Sequence, residues 1–271
     1  MRPATEDSRG ILRPEEGLRR FSLHRYPPCA PLGRLIHWYW TVRWDLRGRP
    51  PHEQHVLTHP CVNVVFEPDR AAVYGVARRV SSQRLEGRGW ALGVMFRPGG
   101  FSPFLAGPVS SITDAVSPVG AVFGDGVRAL ADSVRATDDE ARRVALVDEF
   151  LAGRVPARTP GADAAVAAAE IVATDRTVLR VEDLAGRSGW SVRQLQRLFR
   201  VHVGASPKWV IRRYRLLEAA ERVARGEHVG WESVAADLGY ADQPHLVRDF
   251  TAAIGMSPAR YAAACRSPAN A

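Results

Sequence analysis

The sequence predicts an α+β protein of two domains: a β-rich N-terminal domain with following helices, and an all-α C-terminal domain. Short apolar or alternating segments separated by turn-forming residues fill the first hundred residues, which is typical of a jelly-roll sandwich or small barrel. From about residue 117 the apolar spacing becomes that of helices. One C-terminal segment recurs about 50 residues later, so the all-α domain is predicted to contain a repeated helical unit.

The domain boundaries follow from changes in composition along the 271 residues. We predict a polar N-terminal segment at 1–20, the β-rich domain with its helices at 21–153, and the all-α domain at 162–266. Between them lies "RVPARTPG" (154–161), whose two prolines and glycine are typical of a linker.

Composition excludes several classes of protein. Hydrophobic residues make up 46% of the chain, which is enough for packed cores. The polar start "MRPATEDSRG" has no apolar signal segment, and no apolar run approaches the roughly 20 residues of a membrane span. The three cysteines Cys29, Cys61 and Cys265 are odd in number and far apart, unlike a disulfide framework. We therefore expect a cytoplasmic protein without a membrane partner.

The formal net charge of +8 fits a nucleic-acid partner but does not locate its site. Of the 37 basic residues only Lys208 is a lysine, a bias that GC-rich coding would produce. Basic residues also run through both halves of the chain. The position of a charge is therefore more informative than the total.

The clearest strand is "LIHWYWTVRWDL" (35–46), in which the side chains alternate between two faces. One face carries Trp38, Trp40 and Trp44, for which two roles stay open: packing in the barrel core, or lining a ligand pocket at the barrel mouth. Further strands are predicted at 61–67, 71–76 and 90–97.

The helices begin with "DDEARRVALVDEFLAGR" (138–154), which has acidic residues in its first turn and a glycine near its end. Its apolar side is expected to pack on the barrel, with a dimer interface as the alternative. Seven short helices follow, at 162–174, 181–188, 192–202, 207–225, 231–238, 243–253 and 258–264.

The repeat pairs "LAGRSGWSVRQLQRLFRVHVGASP" (184–207) with "VAADLGYADQPHLVRDFTAAIGMSP" (234–258). In each copy a short helix ends at a glycine, and an N-capping Ser191 or Asp242 starts a second, longer helix. A short helix, a glycine-bearing turn and a longer helix form a helix-turn-helix, whose second helix lies in the DNA major groove. Two copies in register make this a strong signal.

The exposed faces of the two longer helices are predicted to contact double-stranded DNA. Arginine pairs with guanine and glutamine with adenine, so the first copy offers more base contacts and the second more shape and backbone contact. A solvated surface is the alternative for both faces, and a structural arginine the alternative for Arg197 and Arg248. The predicted DNA contacts are Arg193, Gln194, Gln196, Arg197 and Arg200 in the first copy, and Pro244, His245, Val247 and Arg248 in the second.

The histidines offer one competing interpretation. "PHEQHVLTHPC" contains His52, His55, His59 and Cys61, and histidines can hold a metal in a small β-barrel. Their spacing does not place them on one strand face, so we expect surface or loop histidines, with no metal, cofactor or catalytic residue. The alternative function is a metal enzyme whose helical domain targets it to nucleic acid. His202 and His228 are expected at the surface.

The C-terminal hundred residues resemble the DNA-binding domain of AraC/XylS-type bacterial transcription regulators. The resemblance is carried by both Gly-x-Ser-Pro endings, by "RRYRLLEAA" and by "GYADQPHLVRDF…GMSPARY". It implies two helix-turn-helix units joined by a long helix at about 207–225, inserting into successive major-groove segments. It also implies a cupin-like sensor domain in the N-terminal half, a small-molecule effector, a possible homodimer, and RNA polymerase as the partner of an activator.

Overall fold

The computed structural model describes residues 8–226 and 230–266, and its β-rich half is followed by a helical half, which confirms the predicted fold class. The strands are β1 (Phe21–Tyr26), β2 (Ile36–Asp45), β3 (His52–Val56), β4 (Asn63–Phe66), β5 (Ala71–Tyr74), β6 (Ser81–Leu85), β7 (Arg88–Phe96) and β8 (Val116–Pro118). The helices are α1 (Pro14–Gly17), α2 (Gly120–Phe123), α3 (Gly126–Ala136), α4 (Glu140–Ala152), α5 (Pro160–Thr174), α6 (Val181–Ser188), α7 (Val192–His202), α8 (Pro207–Ala224), α9 (Trp231–Asp237), α10 (Gln243–Ile254) and α11 (Pro258–Arg266).

The strands form two antiparallel sheets. Six of them make one sheet in the order β1-β2-β7-β4-β5-β8, and β3 pairs with β6 in a second. The strand prediction located β2, β4, β5 and β7, which are all in the larger sheet. It missed β1, β3, β6 and β8, whose mixed polar sequences carry no clear strand pattern.

One face of the six-stranded sheet packs on α3 and α4 and forms the main core. Tyr39, Leu92 and Phe96 from the sheet are fully buried there, together with Val144 and Val147 from α4. The apolar side of α4 is therefore occupied by its own domain. This is the core-packing alternative of the sequence analysis, and the face is not free to form a dimer interface.

The opposite face of the same sheet faces β3 and β6 across a cavity of about 1010 Å³. A register shift between Ile36 and Trp38 turns Ile36 into the core and leaves the tryptophans on the cavity side. Trp38, Trp40 and Trp44 are half-buried on this wall and lie outside the main core. Trp44 also packs against a smaller cluster of Phe21, Leu46 and Leu85. The alternation predicted for this strand is correct, but its buried residues Tyr39 and Thr41 lie on the face opposite the tryptophans.

The seven C-terminal helices lie within a few residues of their predicted bounds, because their ends are marked by strong capping signals. Ser191, Ser206 and Asp242 each accept a hydrogen bond from a backbone N–H three residues later. Gly189 and Gly239 end the first helix of each unit with φ near +73°, a left-handed conformation that a side chain would strain.

The two halves of the protein are packed against each other. Leu12 and Leu57 of the N-terminal half are buried in the same cluster as Leu217, Phe250 and Tyr261 of the C-terminal half. Residues 8–20 were expected to be a polar segment, yet Ile11 pairs with Val56 as a short bridge. Residues 1–7 of that segment lie outside the described residues.

His202 was expected at the surface, and this was wrong. It is half-buried at the end of α7, where its Nδ1 lies 2.7 Å from the Ser102 hydroxyl of the N-terminal half. His228 lies outside the described residues. None of the helices described is both long enough and apolar enough to cross a lipid bilayer.

Candidate nucleic-acid interface and the adjoining cavity

The first unit consists of α6, a turn at Gly189, and α7. A reciprocal cap fixes the start of α7: Ser191 Oγ accepts from the Gln194 N–H at 3.3 Å, and Gln194 Oε1 accepts from the Ser191 N–H at 2.9 Å. Leu195, Leu198 and Phe199 are buried against α5 and α8. Burial of this side fixes which side of α7 faces the solvent.

The exposed side of α7 carries a stripe of positive charge with no internal partner. Arg193, Arg197 and Arg200 are exposed, and within the described part of the chain none of them forms an ion pair or a side-chain hydrogen bond. By contrast, Arg187 in the preceding helix pairs with Asp175. The geometry gives Arg197 no structural role inside the unit. No ion pair with the described residues neutralises the stripe, so its charge is available to an external partner.

The two glutamines of α7 differ in what they can contribute. Gln196 is exposed in the same stripe as the arginines, and its amide makes no hydrogen bond to the described residues. Gln194 is also exposed, but its Oε1 accepts from both the N–H and the hydroxyl of Ser191. The cap therefore occupies its acceptor, and its Nε2 protons are what it can offer to DNA.

The second unit, α9 and α10, presents fewer polar groups. Leu246 and Phe250 form its buried side, while Pro244 and Arg248 are exposed and Val247 is half-buried. The guanidinium of Arg248 has no partner among the described residues. The unit therefore offers one unpaired arginine where the first unit offers three.

His245 is held inside the second unit. Its ring packs edge-on against Tyr240 with 5.1 Å between ring centroids, and its Nε2 lies 3.9 Å from Asp249 Oδ2. Asp249 is also paired with Arg212 of α8. The predicted contact by His245 therefore competes with partners in its own unit.

Two buried arginines of the connecting helix α8 were not recognised from the sequence. Arg215 donates to the carbonyl oxygens of Val172 at 3.0 Å and Asp175 at 2.8 Å, and its NH1 donates to Glu218 Oε2 at 3.0 Å. Arg213 points in another direction, toward the N-terminal half. The available signal was their position among the apolar residues of "RRYRLLEAA", where a solvated arginine is not expected.

The histidine-rich segment does not form a cluster. His52 is buried beside Gln54, with 3.2 Å between His52 Nε2 and Gln54 Oε1, whereas His59 packs against the ring of Tyr214 on α8. The expectation of surface or loop positions is wrong for His52. Within residues 8–226 and 230–266, no three His, Cys, Asp or Glu side chains lie close enough together to hold a metal ion. Burial raises the pKa of Cys61 to about 12, so its thiol is protonated at neutral pH.

The tryptophans of the cavity wall are fixed by the neighbouring strand. A Cβ atom at Gly93 would lie 2.0 Å from the ring of Trp40, and one at Gly89 would lie 2.3 Å from the ring of Trp44. The two indoles thus lie flat over glycines of β7, with which they are paired in the sheet. The Trp40 Nε1–H also donates to Asn63 Oδ1 at 3.2 Å.

The rest of the cavity lining combines apolar side chains with polar residues, such as Gln54, Asn63 and Gln83, and with charged groups. Four arginines line the space, Arg9, Arg25, Arg78 and Arg79, against two carboxylates, Glu67 and Asp114. Arg9 is paired with Glu221 and Arg78 with Asp114, and the arginines of the lining remain in excess. An apolar space with excess positive charge favours a ligand that is largely apolar and carries an anionic group.

Comparison with known proteins agrees with this geometry. Residues 184–264 match a family model described as a helix-turn-helix domain, and residues 24–118 match a domain of unknown function, DUF6597. No match was found among curated proteins. Among solved structures, the chain is similar to ToxT from Vibrio cholerae O395, with 11% identity and a TM-score of 0.43 over 92% of this chain and 100% of that one.

Two further structures are similar at the same low level. Unsaturated fatty acid bound ToxT from Vibrio cholerae strain SCE256 has 13% identity and a TM-score of 0.38, over 93% of this chain and 94% of that one. The AraC-like transcriptional activator CuxR has 15% identity and a TM-score of 0.28, over 74% and 81%. Because these TM-scores are low, the identification depends on the helix-turn-helix match and on the geometry of the two units.

Two capped helix-turn-helix units on one connecting helix, with unpaired arginines on an exposed face, define a DNA-binding protein. Residues 184–264 form a helix-turn-helix domain, as the sequence motifs predicted. The chain is therefore a DNA-binding transcription regulator with a β-rich N-terminal domain.

Proposed function

We propose that this regulator recognises its operator chiefly through α7, with Arg193, Gln196 and Arg197 contacting base edges in the major groove. The observation that carries the proposal is the lack of any internal partner for these exposed side chains within the described residues. An arginine that is already bound to a carboxylate would have to give up that bond to contact guanine. The side chains of this stripe have no such bond to lose.

The second unit is proposed to contribute position and shape more than base identity. Arg248 is its one unpaired arginine among the described residues, and Pro244 has no side-chain donor. Gln194 and Arg200 are proposed to contact the DNA backbone beside α7, and Val247 and His245 to complete the surface of α10. The specificity should therefore differ between the two halves of the operator.

The proposal is tested by selecting binding sites from random DNA with the full-length protein and then replacing Arg193 or Arg197 with alanine. Each replacement should weaken binding to the selected site by about 1–3 kcal/mol and relax the preference at one base pair. Stability should not change, because neither side chain is bonded within the protein. Affinity is measured by fluorescence anisotropy over a series of salt concentrations.

The matched control is Arg187→Ala, which removes the same charge from the same unit at a residue paired with Asp175. If Arg197 contacted only phosphate, its loss would weaken all DNA sequences alike and reduce the salt slope by about one. Unchanged affinity of folded Arg193→Ala and Arg197→Ala variants would contradict the assignment of α7.

We also propose that the cavity binds a small-molecule effector that is mostly apolar and carries an anionic group. The cavity of about 1010 Å³ is at the upper end of the range for small-molecule sites. Its wall of half-buried tryptophans and its excess of arginines support this chemistry. A ligand that binds one arrangement of the two domains more tightly than another would shift the protein toward that arrangement. The difference in ligand affinity limits how far the DNA affinity can change.

We also propose a regulatory, non-catalytic role in the cytoplasm, where the operator would be. The proposed partners are RNA polymerase and a second copy of the chain. Their support is the helix-turn-helix domain, together with the resemblance of its sequence motifs to AraC/XylS-type regulators. Metal analysis of the purified protein tests the competing metal-enzyme function, which a stoichiometric metal would support.

A further inference from the structure

Arg213 extends from the connecting helix α8 into the wall of the N-terminal cavity. Its Nη1 donates to the carbonyl oxygen of Thr58 at 3.2 Å and its Nη2 to the carbonyl oxygen of Arg78 at 2.7 Å. The residue is 2% exposed, and its guanidinium lies over the ring of Trp209 on the same helix. It is therefore buried between the two halves of the protein.

Both acceptors of Arg213 belong to segments that line the cavity. Thr58 follows β3 and Arg78 precedes β6, and the Thr58 hydroxyl donates to the carbonyl oxygen of Ala77 at 3.3 Å. Asp114 fixes the second segment, because it accepts from the backbone N–H of Arg78 at 2.8 Å and from its Nε at 2.6 Å. A displacement of this wall would thus move the two carbonyl groups that bind Arg213.

The charge of Arg213 makes these two hydrogen bonds expensive to lose. Burial lowers its pKa to about 10, and the guanidinium still carries its proton at neutral pH. None of the described carboxylates lies within ion-pair distance. Asp114 acts on the guanidinium only from farther away, and the carbonyl oxygens of Thr58 and Arg78 accept its hydrogen bonds. Leaving a buried charge without its hydrogen bonds is strongly unfavourable, and α8 must follow the carbonyl groups or lose the contact.

We propose that Arg213 is a positioning residue that ties the placement of α8, and with it the two helix-turn-helix units, to the state of the cavity wall. This inference rests on the proposed function of the two units and of the cavity. The connection between the cavity wall and α8 is assigned to the Arg213 side chain and to the backbone carbonyl groups of Thr58 and Arg78. These groups lie outside the surface proposed to contact DNA.

Arg215 provides a matched control two residues away on the same helix. It is also 2% exposed and also donates to two backbone carbonyl oxygens, but its partners Val172, Asp175 and Glu218 all belong to the C-terminal half. Replacing either arginine with lysine keeps the charge and loses the two-pronged geometry. A difference in DNA affinity between Arg213→Lys and Arg215→Lys therefore reports the effect of contacting the N-terminal half instead of the C-terminal half.

The test is a double-mutant cycle on the affinity of the full-length protein for its selected DNA site. Arg213→Lys and Asp114→Ala should each weaken binding about fivefold or more, the lower end of typical allosteric couplings. The double variant should be no weaker than the weaker single variant, because both changes release the same wall. The effect of Arg215→Lys should instead multiply with that of Asp114→Ala.

Hydrogen exchange on the DNA-free protein gives a second measurement that does not depend on DNA binding. Arg213→Lys should speed exchange in peptides covering 56–60 and 76–80, whereas Arg215→Lys should leave those peptides unchanged. Three results would each overturn the proposed role of Arg213. The effects of Arg213→Lys and Asp114→Ala on affinity could multiply, Arg213→Lys could leave DNA binding unchanged or tighter, or it could leave exchange in both peptides unaltered. Failure of the wild type to select any DNA sequence would instead refute the proposed function.

Discussion

Replacing Gly93 with alanine should displace Trp40 from the cavity wall and destabilise the N-terminal domain. The two residues are paired across β2 and β7, and the Trp40 ring covers the glycine. A Cβ atom at this position would lie 2.0 Å from Cε2, 2.2 Å from Cζ2 and 2.4 Å from Nε1 of that ring. Carbon atoms pack at about 3.5–4.0 Å, so the indole would have to retreat by roughly 1.5 Å or more.

The expected cost follows from what the retreat disturbs. Overpacking of this kind costs about 1–3 kcal/mol, and the Trp40–Asn63 hydrogen bond, 3.2 Å long, contributes about 1 kcal/mol. Alanine recovers about 0.4–1 kcal/mol by restricting the unfolded chain. The net loss in the free energy of unfolding should be about 1–3 kcal/mol, which corresponds to a fall in Tm of roughly 2–12 °C.

The assay is urea unfolding of four proteins: wild type, Gly93→Ala, Trp40→Ala and the double variant. If the clash with the indole causes the loss, Gly93→Ala should cost almost nothing once Trp40 is already alanine. Gly107→Ala serves as the control, because a Cβ atom there meets no atom within 4 Å. An equal cost of Gly93→Ala in both backgrounds would refute the reasoning.

Two further predictions concern the cavity and the contact between the domains. The anionic apolar dye 1-anilinonaphthalene-8-sulfonate should bind the protein with enhanced fluorescence, and a Trp40→Ala/Trp44→Ala variant should bind it at least several-fold more weakly; equal binding would place the dye outside the cavity. Burial lowers the pKa of His202, so the folded protein binds this proton less readily than the unfolded chain. The stability that neutral His202 contributes should be complete above about pH 6.5 and should decline as the pH falls through and below that value. Urea unfolding across this pH range should show the decline in the wild type and not in His202→Gln. An identical pH dependence of the two proteins would contradict the prediction.

Local sequence signals were sufficient for the helical half because its elements are bounded by residues that act within a few positions. Ser191 and Asp242 bond to N–H groups three residues away, so the start of each longer helix can be located from the sequence. The exposed stripe follows from the same periodicity. Once Leu195 and Phe199 are buried, the side of α7 that carries Arg197 must face outward.

The β-rich half and the contact between domains depend on partners far away in the chain. His52 of β3 pairs with Leu85 of β6, and the polar sequences of both strands give no strand pattern of their own. The acceptors of Arg213 lie 155 and 135 residues away. The local periodicity of a sequence does not indicate contacts between residues so far apart. The burial of an arginine can be suspected from its apolar neighbours, but its direction cannot be derived from the sequence.

The contacts between the domains favour control through the placement of the two units over control by covering the DNA-contacting surface. The N-terminal half contacts the first unit where the Thr113 hydroxyl donates to the carbonyl oxygen of Gly204 at 2.6 Å, just beyond the end of α7. Leu12 is buried in one cluster with Phe250 of the second unit, and the Arg13 N–H donates to the hydroxyl of Tyr261 on the following helix α11 at 3.4 Å. The arginines of the stripe take part in none of these contacts and stay exposed. A change at the cavity wall would therefore leave each base-contacting surface intact and alter whether both can reach successive grooves together.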